Sequence, residues 1–237
     1  MLTIEHLTKT YGGGVKAVDD LSLTVQPGDI YGFIGHNGAG KTTTLRAITG
    51  ILAFDSGTIL IDGKSISADP IACKREIAYI PDNPDLYEHL TGIQYLNFVA
   101  DIYHVSEAQR DERIKKYADA FEMTPRLNDL IGSCSHGMKQ KIAVISALIH
   151  SPKLLLLDEP FVGLDPKAAH TLKGFMKELC QSGSAIFFST HVLEVAEKLC
   201  NKIAIIKNGR IVASGYMDQV KGDESLETLF LELTEHA

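Results

Sequence analysis

The sequence contains no apolar run that approaches the roughly eighteen residues a helix needs to cross a bilayer. Its N-terminus, MLTIEHLTKTYGGG, lacks the basic start and apolar stretch of a secretion signal, so we expect the chain to stay in the cytosol. The four cysteines have spacings that match no metal or redox motif, and we interpret them as reduced thiols. Basic residues are not in excess, because 23 Lys and Arg stand against 30 Asp and Glu for a formal net charge of −7. This balance excludes a global attraction to nucleic acid, though not a local basic patch, and no nucleic-acid partner is expected.

Hydrophobic residues make up 45% of the 237-residue chain, which is ordinary for a globular protein and enough for a substantial core. Short apolar segments between turn-rich pieces predict strands at 2–7, 21–25, 30–35 and 58–61. A helix is predicted at 41–52, between the last two strands. From about residue 85 to 150, apolar residues recur at helical spacing and predict a helical lobe. Within this lobe, Ser106 and Gln109 form a predicted capping box.

The last third of the sequence alternates apolar strands with helices. We predict strands at 154–158 and 185–189, helices near 167–180 and 192–200, a hairpin of 202–207 with 211–213, and a short helix after Gly222. Nearly continuous apolar strands between helices are typical of a parallel sheet covered on both faces. We therefore expect one α/β domain over 1–222, with a core of 1–84 and 151–222, a helical subdomain at about 85–150, and a short helical tail at 223–237.

The clearest functional motif is the segment GHNGAGKT at 35–42, which follows an apolar strand and opens a predicted helix. It fits the pattern G-x-x-x-x-G-K-[ST] of a phosphate-binding loop. The glycines let successive backbone amides turn toward phosphate oxygens, and the following helix directs its positive end to the same anion. Lys41 is predicted to neutralise the outer phosphates, and the hydroxyl of Thr42 to bind Mg²⁺. The predicted nucleotide contacts here are Gly35, Asn37, Gly38, Ala39, Gly40, Lys41, Thr42 and the following Thr43.

A second motif places two carboxylates, Asp158 and Glu159, at the end of an apolar segment. In open α/β sheets, ligands gather at the carboxyl ends of the strands, so a neighbouring phosphate-binding loop would bring both acids to the nucleotide. Successive residues of a strand face opposite sides, which allows two different roles. We predict that Asp158 holds Mg²⁺, directly or through water. Glu159 is predicted to be the general base on the water that attacks the γ-phosphate in line.

These motifs, and the order in which they follow one another, resemble those of the nucleotide-binding domain of ABC transporters from residue 2 to about residue 220. The resemblance implies an α/β fold, the P-loop NTPase of ABC type, with a mixed sheet core, an antiparallel β subdomain and an inserted α-helical subdomain. The segment CSHGMKQK at 134–141 resembles the signature segment LSGGQ, although His136 replaces a glycine and Met138 the glutamine. In the family this segment caps the ATP held by the opposing subunit. It therefore implies that Ser135 and the amide of Gly137 contact that γ-phosphate.

Three further residues match positions of the family. Tyr11 lies where the family carries the aromatic residue that stacks on adenine. Asp165, in Gly-Leu-Asp-Pro, matches the loop that couples the two active sites across the dimer, and a helix-capping role is compatible with this one. His191 follows a predicted strand and resembles the switch histidine that contacts the γ-phosphate, so we expect it to be catalytic rather than a metal ligand.

One position departs from the family. The family normally has a glutamine after the proline that ends one strand, whereas Asp82 follows Pro81 here. Aspartate can bind Mg²⁺, but it also places negative charge beside a polyphosphate. We hypothesise that Asp82 links Mg²⁺ to the helical lobe, with Asn83 as the alternative residue for this role.

Taken together, these features predict an ATP-hydrolysing subunit that uses Mg²⁺ and drives a separate membrane permease, more in keeping with export than import. It is expected to pair head-to-tail with a second ATPase subunit, the same or a different chain, on the cytoplasmic face of the cell membrane. A second hypothesis keeps the ATPase but assigns it to DNA repair, chromosome organisation or translation. Long coiled-coil insertions or tandem domains are typical of such proteins, and neither is present. A third hypothesis is a regulator that binds nucleotide without hydrolysis, against which the intact Lys41, Asp158 and Glu159 argue.

Overall fold

The computed structural model describes residues 1–235, and its strands form two sheets. Strands and helices are numbered in chain order. The smaller sheet consists of β1 (Leu2–Thr10), β2 (Lys16–Val25), β4 (Ser56–Ile61) and β5 (Lys64–Ser65). These strands are antiparallel and ordered β2-β1-β4-β5. β1 and β2 extend further than predicted, because their pairing continues through shifted register beyond the most apolar residues.

The larger sheet contains β3 (Ile30–Ile34), β6 (Ile77–Ile80), β7 (Leu154–Asp158), β8 (Ala185–Thr190), β9 (Lys202–Lys207) and β10 (Arg210–Tyr216). Its order is β10-β9-β3-β8-β7-β6, and the strands other than β10 run parallel. β10 pairs antiparallel with β9 through a turn in which Asn208 and Gly209 both have positive φ, as a tight hairpin requires. The sheet is therefore mixed, and β3, β7 and β8 are buried along their whole length.

Nine α-helices lie within residues 1–235: α1 (Lys41–Ile48), α2 (Pro70–Glu76), α3 (Gly92–Ile102), α4 (Glu107–Ala120), α5 (His136–Ile149), α6 (Pro166–Gln181), α7 (Leu193–Leu199), α8 (Met217–Lys221) and α9 (Leu226–Glu235). In this part of the chain, no helix combines the length and the apolar character of a membrane span. The tail expected at 223–237 contains α9, and residues 236 and 237 lie outside the described part.

Local signals explain where several helices begin and end. The predicted helix 41–52 ends as α1 at Ile48, and Gly50 follows in the left-handed region with a φ of 65°. β5 and α2 were not predicted. α2 begins where the carboxylate of Asp69 accepts a hydrogen bond from the amide of Ala72 at 3.1 Å, with Pro70 in the first turn.

The capping box lies one helix earlier than predicted. At the start of α3, the hydroxyl of Thr91 accepts from the amide of Gln94, and the side chain of Gln94 accepts from the amide of Thr91 at 2.9 Å. At the start of α4, the hydroxyl of Ser106 instead donates to Oε1 of Gln109 at 3.2 Å. The prediction of a box at Ser106 was wrong, because the two side chains bond each other and neither accepts a hydrogen bond from a backbone amide at the start of the helix.

Apolar clusters cover both faces of the larger sheet. One cluster packs helices α3 to α9 against the larger sheet. The other cluster packs α1 and the smaller sheet against its opposite face. A sheet buried on both faces can bind a polar ligand only at its edges. The carboxyl ends of β3, β7 and β8 meet at one such edge, where the phosphate-binding loop and the two acids emerge.

Candidate nucleotide-binding site

The loop between β3 and α1 is shaped by glycines that no other residue can replace without strain. Gly38 and Gly40 have φ values of 82° and 114°, which disfavour any side chain. A Cβ at Gly40 would lie 2.3 Å from the carbonyl oxygen of Ala17, and one at Gly35 would lie 2.6 Å from that of Ile206. The buried loop ends therefore press against neighbouring backbone, while its exposed tip is left free to surround an anion.

Lys41 closes the loop from inside. Its side chain is 6% exposed, and Nζ donates to the carbonyl oxygens of Gly35 at 2.6 Å and His36 at 3.2 Å. The hydroxyl of Thr44, one turn on, donates to the carbonyl of Gly40 at 2.9 Å. The ammonium group is thus fixed within the arc of the loop, where a phosphate anion would be neutralised.

Asp158 ends β7 as a buried carboxylate that is only half satisfied. It is 1% exposed, and Oδ1 accepts a hydrogen bond from the hydroxyl of Ser189 on β8, whereas Oδ2 is buried with no hydrogen-bond partner. Burial raises the pKa of Asp158, and the nearby Asp82 and Glu159 add to this, whereas the neighbouring hydroxyls of Ser189 and Thr42 lower the pKa. A buried carboxylate with one unpaired oxygen is suited to a cation.

Glu159 is held in an unusual backbone conformation. Its φ is 47°, in the left-handed region, and its amide donates to the carbonyl and hydroxyl oxygens of Ser189 at 3.2 and 3.1 Å. Oε1 lies 3.0 Å from Nδ1 of His191 and 3.5 Å from Nζ of Lys41, although it has no hydrogen-bond partner. The carboxylate therefore stands between His191 and Lys41, beside the positive charge of the lysine.

One cavity of about 190 Å³ brings most of the predicted nucleotide and metal residues together. It is lined by Ala17, Asn37, Gly38, Gly40, Lys41, Thr42, Thr43, Asp82, Asp158 and Glu159. Gly35 and Ala39 are buried beneath the loop and His191 stands at the side of Glu159, outside this lining. A larger cavity of about 670 Å³, bordered by Arg113 and Phe175, shares no residue with it.

Tyr11 stands near this cavity without lining it. Its ring is 44% exposed, and its hydroxyl lies 3.4 Å from the hydroxyl of Thr43. An exposed ring fixed beside the phosphate-binding loop offers a flat apolar surface to a base.

The signature segment packs against the loop before α6 within this chain. The hydroxyl of Ser135 caps α5 by accepting from the amide of Met138 at 3.3 Å. A Cβ at Gly163 would lie 2.6 Å from Cδ2 of His136, and one at Gly137 would lie 2.9 Å from the carbonyl oxygen of Gly163. The ring of His136, which replaces the family's glycine, therefore packs directly on Gly163.

Asp165 is fixed by contacts within its own chain. Its carboxylate caps α6 by accepting from the amide of Ala168 at 2.8 Å, and Oδ2 lies 2.7 Å from Nζ of Lys141. These contacts hold the pKa of Asp165 below its ordinary value, with the bond to Lys141 as the larger cause. Like Ser135 and Gly137, Asp165 does not line the cavity at the phosphate-binding loop.

The two candidates for the link between Mg²⁺ and the helical lobe, Asp82 and Asn83, line different cavities. Asp82 lines the nucleotide cavity, and its Oδ1 accepts from the amide of Asn83 at 2.9 Å. Asn83 instead lines a second cavity with His136 and Lys139, beside the signature segment. Of the two, only Asp82 shares a cavity with Asp158.

Two contributors were missed by the sequence analysis. Ser189 bonds both Asp158 and the amide of Glu159, and the carbonyl of Ala17 packs against Gly40. A hydroxyl at the end of a buried strand, two residues before His191, was a usable signal for Ser189. Nothing in the local sequence of Ala17 marks it, because its contact depends on the tertiary fold.

A phosphate-binding loop beside two strand-end acids, one next to a histidine and one with an unpaired oxygen, defines a P-loop nucleoside triphosphatase. Known proteins narrow this class. A family model described as ABC transporter matches residues 18–162. The ABC-type transporter ATP-binding protein EcsA of Bacillus subtilis (strain 168) is 36% identical over 239 residues, covering 99% of this chain and 96% of that protein.

Two other similarities agree. Nod factor export ATP-binding protein I of Cupriavidus metallidurans is 36% identical over 215 residues, covering 91% of this chain and 71% of that protein. A solved structure of an ATP-binding subunit of an ABC transporter superposes with a TM-score of 0.95 at 36% identity, covering 98% of this chain and 99% of that one. The chain belongs to the ABC transporter family and is one of its ATP-binding, ATP-hydrolysing subunits. The predicted family, fold class and ATPase activity are confirmed.

Proposed function

We propose that the chain hydrolyses Mg-ATP as one half of a head-to-tail pair and passes the resulting motion to a separate membrane permease. The observation that carries this proposal is the single cavity that holds the phosphate-binding loop, Asp158 and Glu159 together. Glu159 takes the proton of the attacking water, and Lys41 neutralises the charge that develops on the transferred phosphoryl group. His191, at 3.0 Å from Glu159, orients that carboxylate and contacts the γ-phosphate.

Mg²⁺ fits the residues present. The unpaired, buried Oδ2 of Asp158 and the hydroxyl of Thr42 are oxygen donors of the kind this ion prefers, with substrate phosphates completing its shell. When bound, the ion would neutralise phosphate charge and thereby favour the in-line displacement. Asp158 and Thr42 would hold it, and Asp82 lines the same cavity.

Asp158→Asn should separate metal binding from stability. Burial raises the pKa of Asp158 in the folded state, so the charged carboxylate lowers the free energy of unfolding when the pH is above the ordinary pKa of an aspartate. This destabilisation disappears as the pH falls below that ordinary pKa. The asparagine variant should therefore melt no lower than wild type at pH 7 in EDTA, while its Mg-dependent ATPase falls roughly tenfold or more. Melting curves and phosphate release measure the two effects.

Asp111→Asn, on the exposed face of α4, is the control. A marked loss of melting temperature in EDTA would contradict this role.

Asp82 is expected to set the Mg²⁺ dependence of hydrolysis. Asp82→Asn and Asp82→Ala both remove a negative charge from the cavity wall. The Mg²⁺ concentration that gives half-maximal ATPase activity should therefore shift severalfold in both variants, which is roughly the effect of changing a residue near a bound metal. Asn83→Ala is the matched control, because Asn83 lines a different cavity. If both Asp82 variants keep the wild-type Mg²⁺ curve, the proposed link to the metal is wrong.

A second subunit is proposed because the signature segment does not reach the cavity of its own chain. Ser135 and Gly137 would cover the γ-phosphate bound by a partner, and a two-fold axis would complete both sites at once. Asp165 lies between the two sites in this arrangement, anchored to α5 by Lys141. A solved dimeric cassette with ADP and phosphate, at 23% identity and a TM-score of 0.83, supports the fold that such a pairing needs.

A permease partner is supported by the helical lobe and by the relatives. Phe98 and Ile102 on α3 are 42% and 54% exposed, and Tyr87 stands edge-on to Phe98. Neighbouring exposed apolar side chains are typical of an interaction surface. The relatives named above are ATP-binding proteins of transporters, one of them named for export. We therefore place the chain at the cytoplasmic face of the membrane, with export as the favoured direction.

Affinity purification from detergent-solubilised membranes tests this role. A tagged Glu159→Gln chain with Mg-ATP should retain a polytopic membrane protein in a fixed ratio to the ATPase. Retention of ribosomes or DNA, with no membrane protein, would favour the translation or repair hypothesis instead. The family relationships do not favour that hypothesis.

A further inference from the structure

The C-terminal helix touches the phosphate-binding loop directly. The rings of His36 and Phe230 lie with centroids 4.7 Å apart and an interplanar angle of 58°. His36 is the second residue of the loop and is exposed, whereas Phe230 lies on α9 and is 6% exposed. A tilted contact between two rings at this distance is favourable beyond simple burial.

α9 is fixed at its other points to the same part of the fold. Leu226, in its first turn, is fully buried, and Nζ of Lys207 donates to the carbonyl oxygens of Leu233 and Thr234 at 3.3 and 2.8 Å. Lys207 ends β9 and follows Ile206, the residue whose carbonyl restricts the start of the loop. The end of α9 and the start of the loop therefore rest on one strand.

α9 also packs on α7, the helix that follows His191. One helix thus contacts both the phosphate-binding loop and the helix that follows His191. Two successive contacts connect α9 through the loop to the side chain of Lys41. The Phe230 ring holds the His36 ring, and the carbonyl of His36 accepts a hydrogen bond from Nζ of Lys41 at 3.2 Å.

We infer that α9 is a positioning element of the nucleotide site, and that Phe230 fixes His36 so that the glycine-rich loop is held in its phosphate-binding shape. The inference rests on the proposed function of that loop. The backbone of His36 is bonded to Lys41, but its side chain stands at the exposed tip of the loop, where the contact with Phe230 limits the conformations that the tip samples. A loop ordered before binding gives up less entropy when the phosphate arrives.

A double-mutant cycle on MgADP affinity tests this inference, with full-length protein and calorimetric titration. His36→Ala and Phe230→Leu should each weaken binding roughly two- to tenfold, the range expected for one aromatic pair. The double variant should bind no more weakly than the weaker single variant, because both changes remove the same contact. Effects that multiply, or a Phe230→Leu variant with wild-type affinity, would overturn the inference.

Two controls separate this contact from core packing. Leu226→Ala also removes a buried side chain of α9, so its effect on affinity should multiply with that of His36→Ala. Phe230→Tyr keeps both rings and should bind like wild type, which tests the contact even if Phe230→Leu does not fold. Failure of the wild-type chain to bind MgADP would overturn the proposed function as well, whereas normal binding without coupling between positions 36 and 230 overturns this inference alone.

Discussion

Glu159→Gln should hydrolyse ATP at least about a hundredfold more slowly than wild type, because an amide cannot accept the proton of the attacking water. The substitution keeps the size of the side chain and leaves its neighbours, His191 and Lys41, in place. Nucleotide affinity should therefore be close to that of wild type. Phosphate release and equilibrium titration measure the two quantities separately.

The same variant should form a stable dimer with Mg-ATP. Bound ATP that is not cleaved keeps its γ-phosphate between the loop of one subunit and the signature segment of the other. Size-exclusion chromatography with light scattering should show twice the monomer mass with Mg-ATP, and the monomer mass with Mg-ADP. Glu112→Gln, on the exposed side of α4, is the control for the same chemical change. Wild-type turnover by Glu159→Gln would show that Glu159 is not the base.

Lys41→Ala should lose nucleotide affinity rather than turnover alone. Its ammonium holds the carbonyls of Gly35 and His36 and lies 3.5 Å from the carboxylate of Glu159. Its removal leaves that carboxylate facing the phosphates without the positive charge of the lysine. A charged hydrogen bond of this kind corresponds to a weakening of roughly 10- to 100-fold, measured by MgADP titration. Lys115→Ala, exposed on α4, should bind as wild type does. Unchanged affinity of Lys41→Ala would remove the lysine from the site.

The parts of the site that are local in sequence could be predicted from sequence. The loop at 35–42 is one continuous motif whose glycines, lysine and threonine act through neighbouring backbone. Asp158 and Glu159 end an apolar strand, and the rule that parallel strands gather ligands at their carboxyl ends placed them correctly beside the loop. The roles assigned to these residues stay predictions until the variants are measured.

The contacts that cross the sequence could not be predicted in this way. Ser189 reaches Asp158 only because β7 and β8 are neighbours in the sheet, and the Phe230 contact with His36 spans most of the chain. The capping box failed for a related reason. Ser106 and Gln109 have the right spacing, but their side chains bond each other instead of the backbone.

The altered signature segment shows how a departure from a motif can be accommodated. A histidine in place of glycine at position 136 needs room for its ring, and the absence of a Cβ at Gly163 supplies that room. The ion pair between Lys141 and Asp165 joins the same two segments a few residues further on. The signature segment and the loop before α6 are therefore packed against each other within this chain.

A crystal structure of the Glu159→Gln variant with Mg-ATP tests the central claim most directly. The terminal phosphate should lie within hydrogen-bond distance of Nζ of Lys41, with Mg²⁺ between Asp158 and Thr42, and with Ser135 of a second copy covering the nucleotide. A triphosphate bound away from the loop, or a metal held without Asp158, would contradict the account.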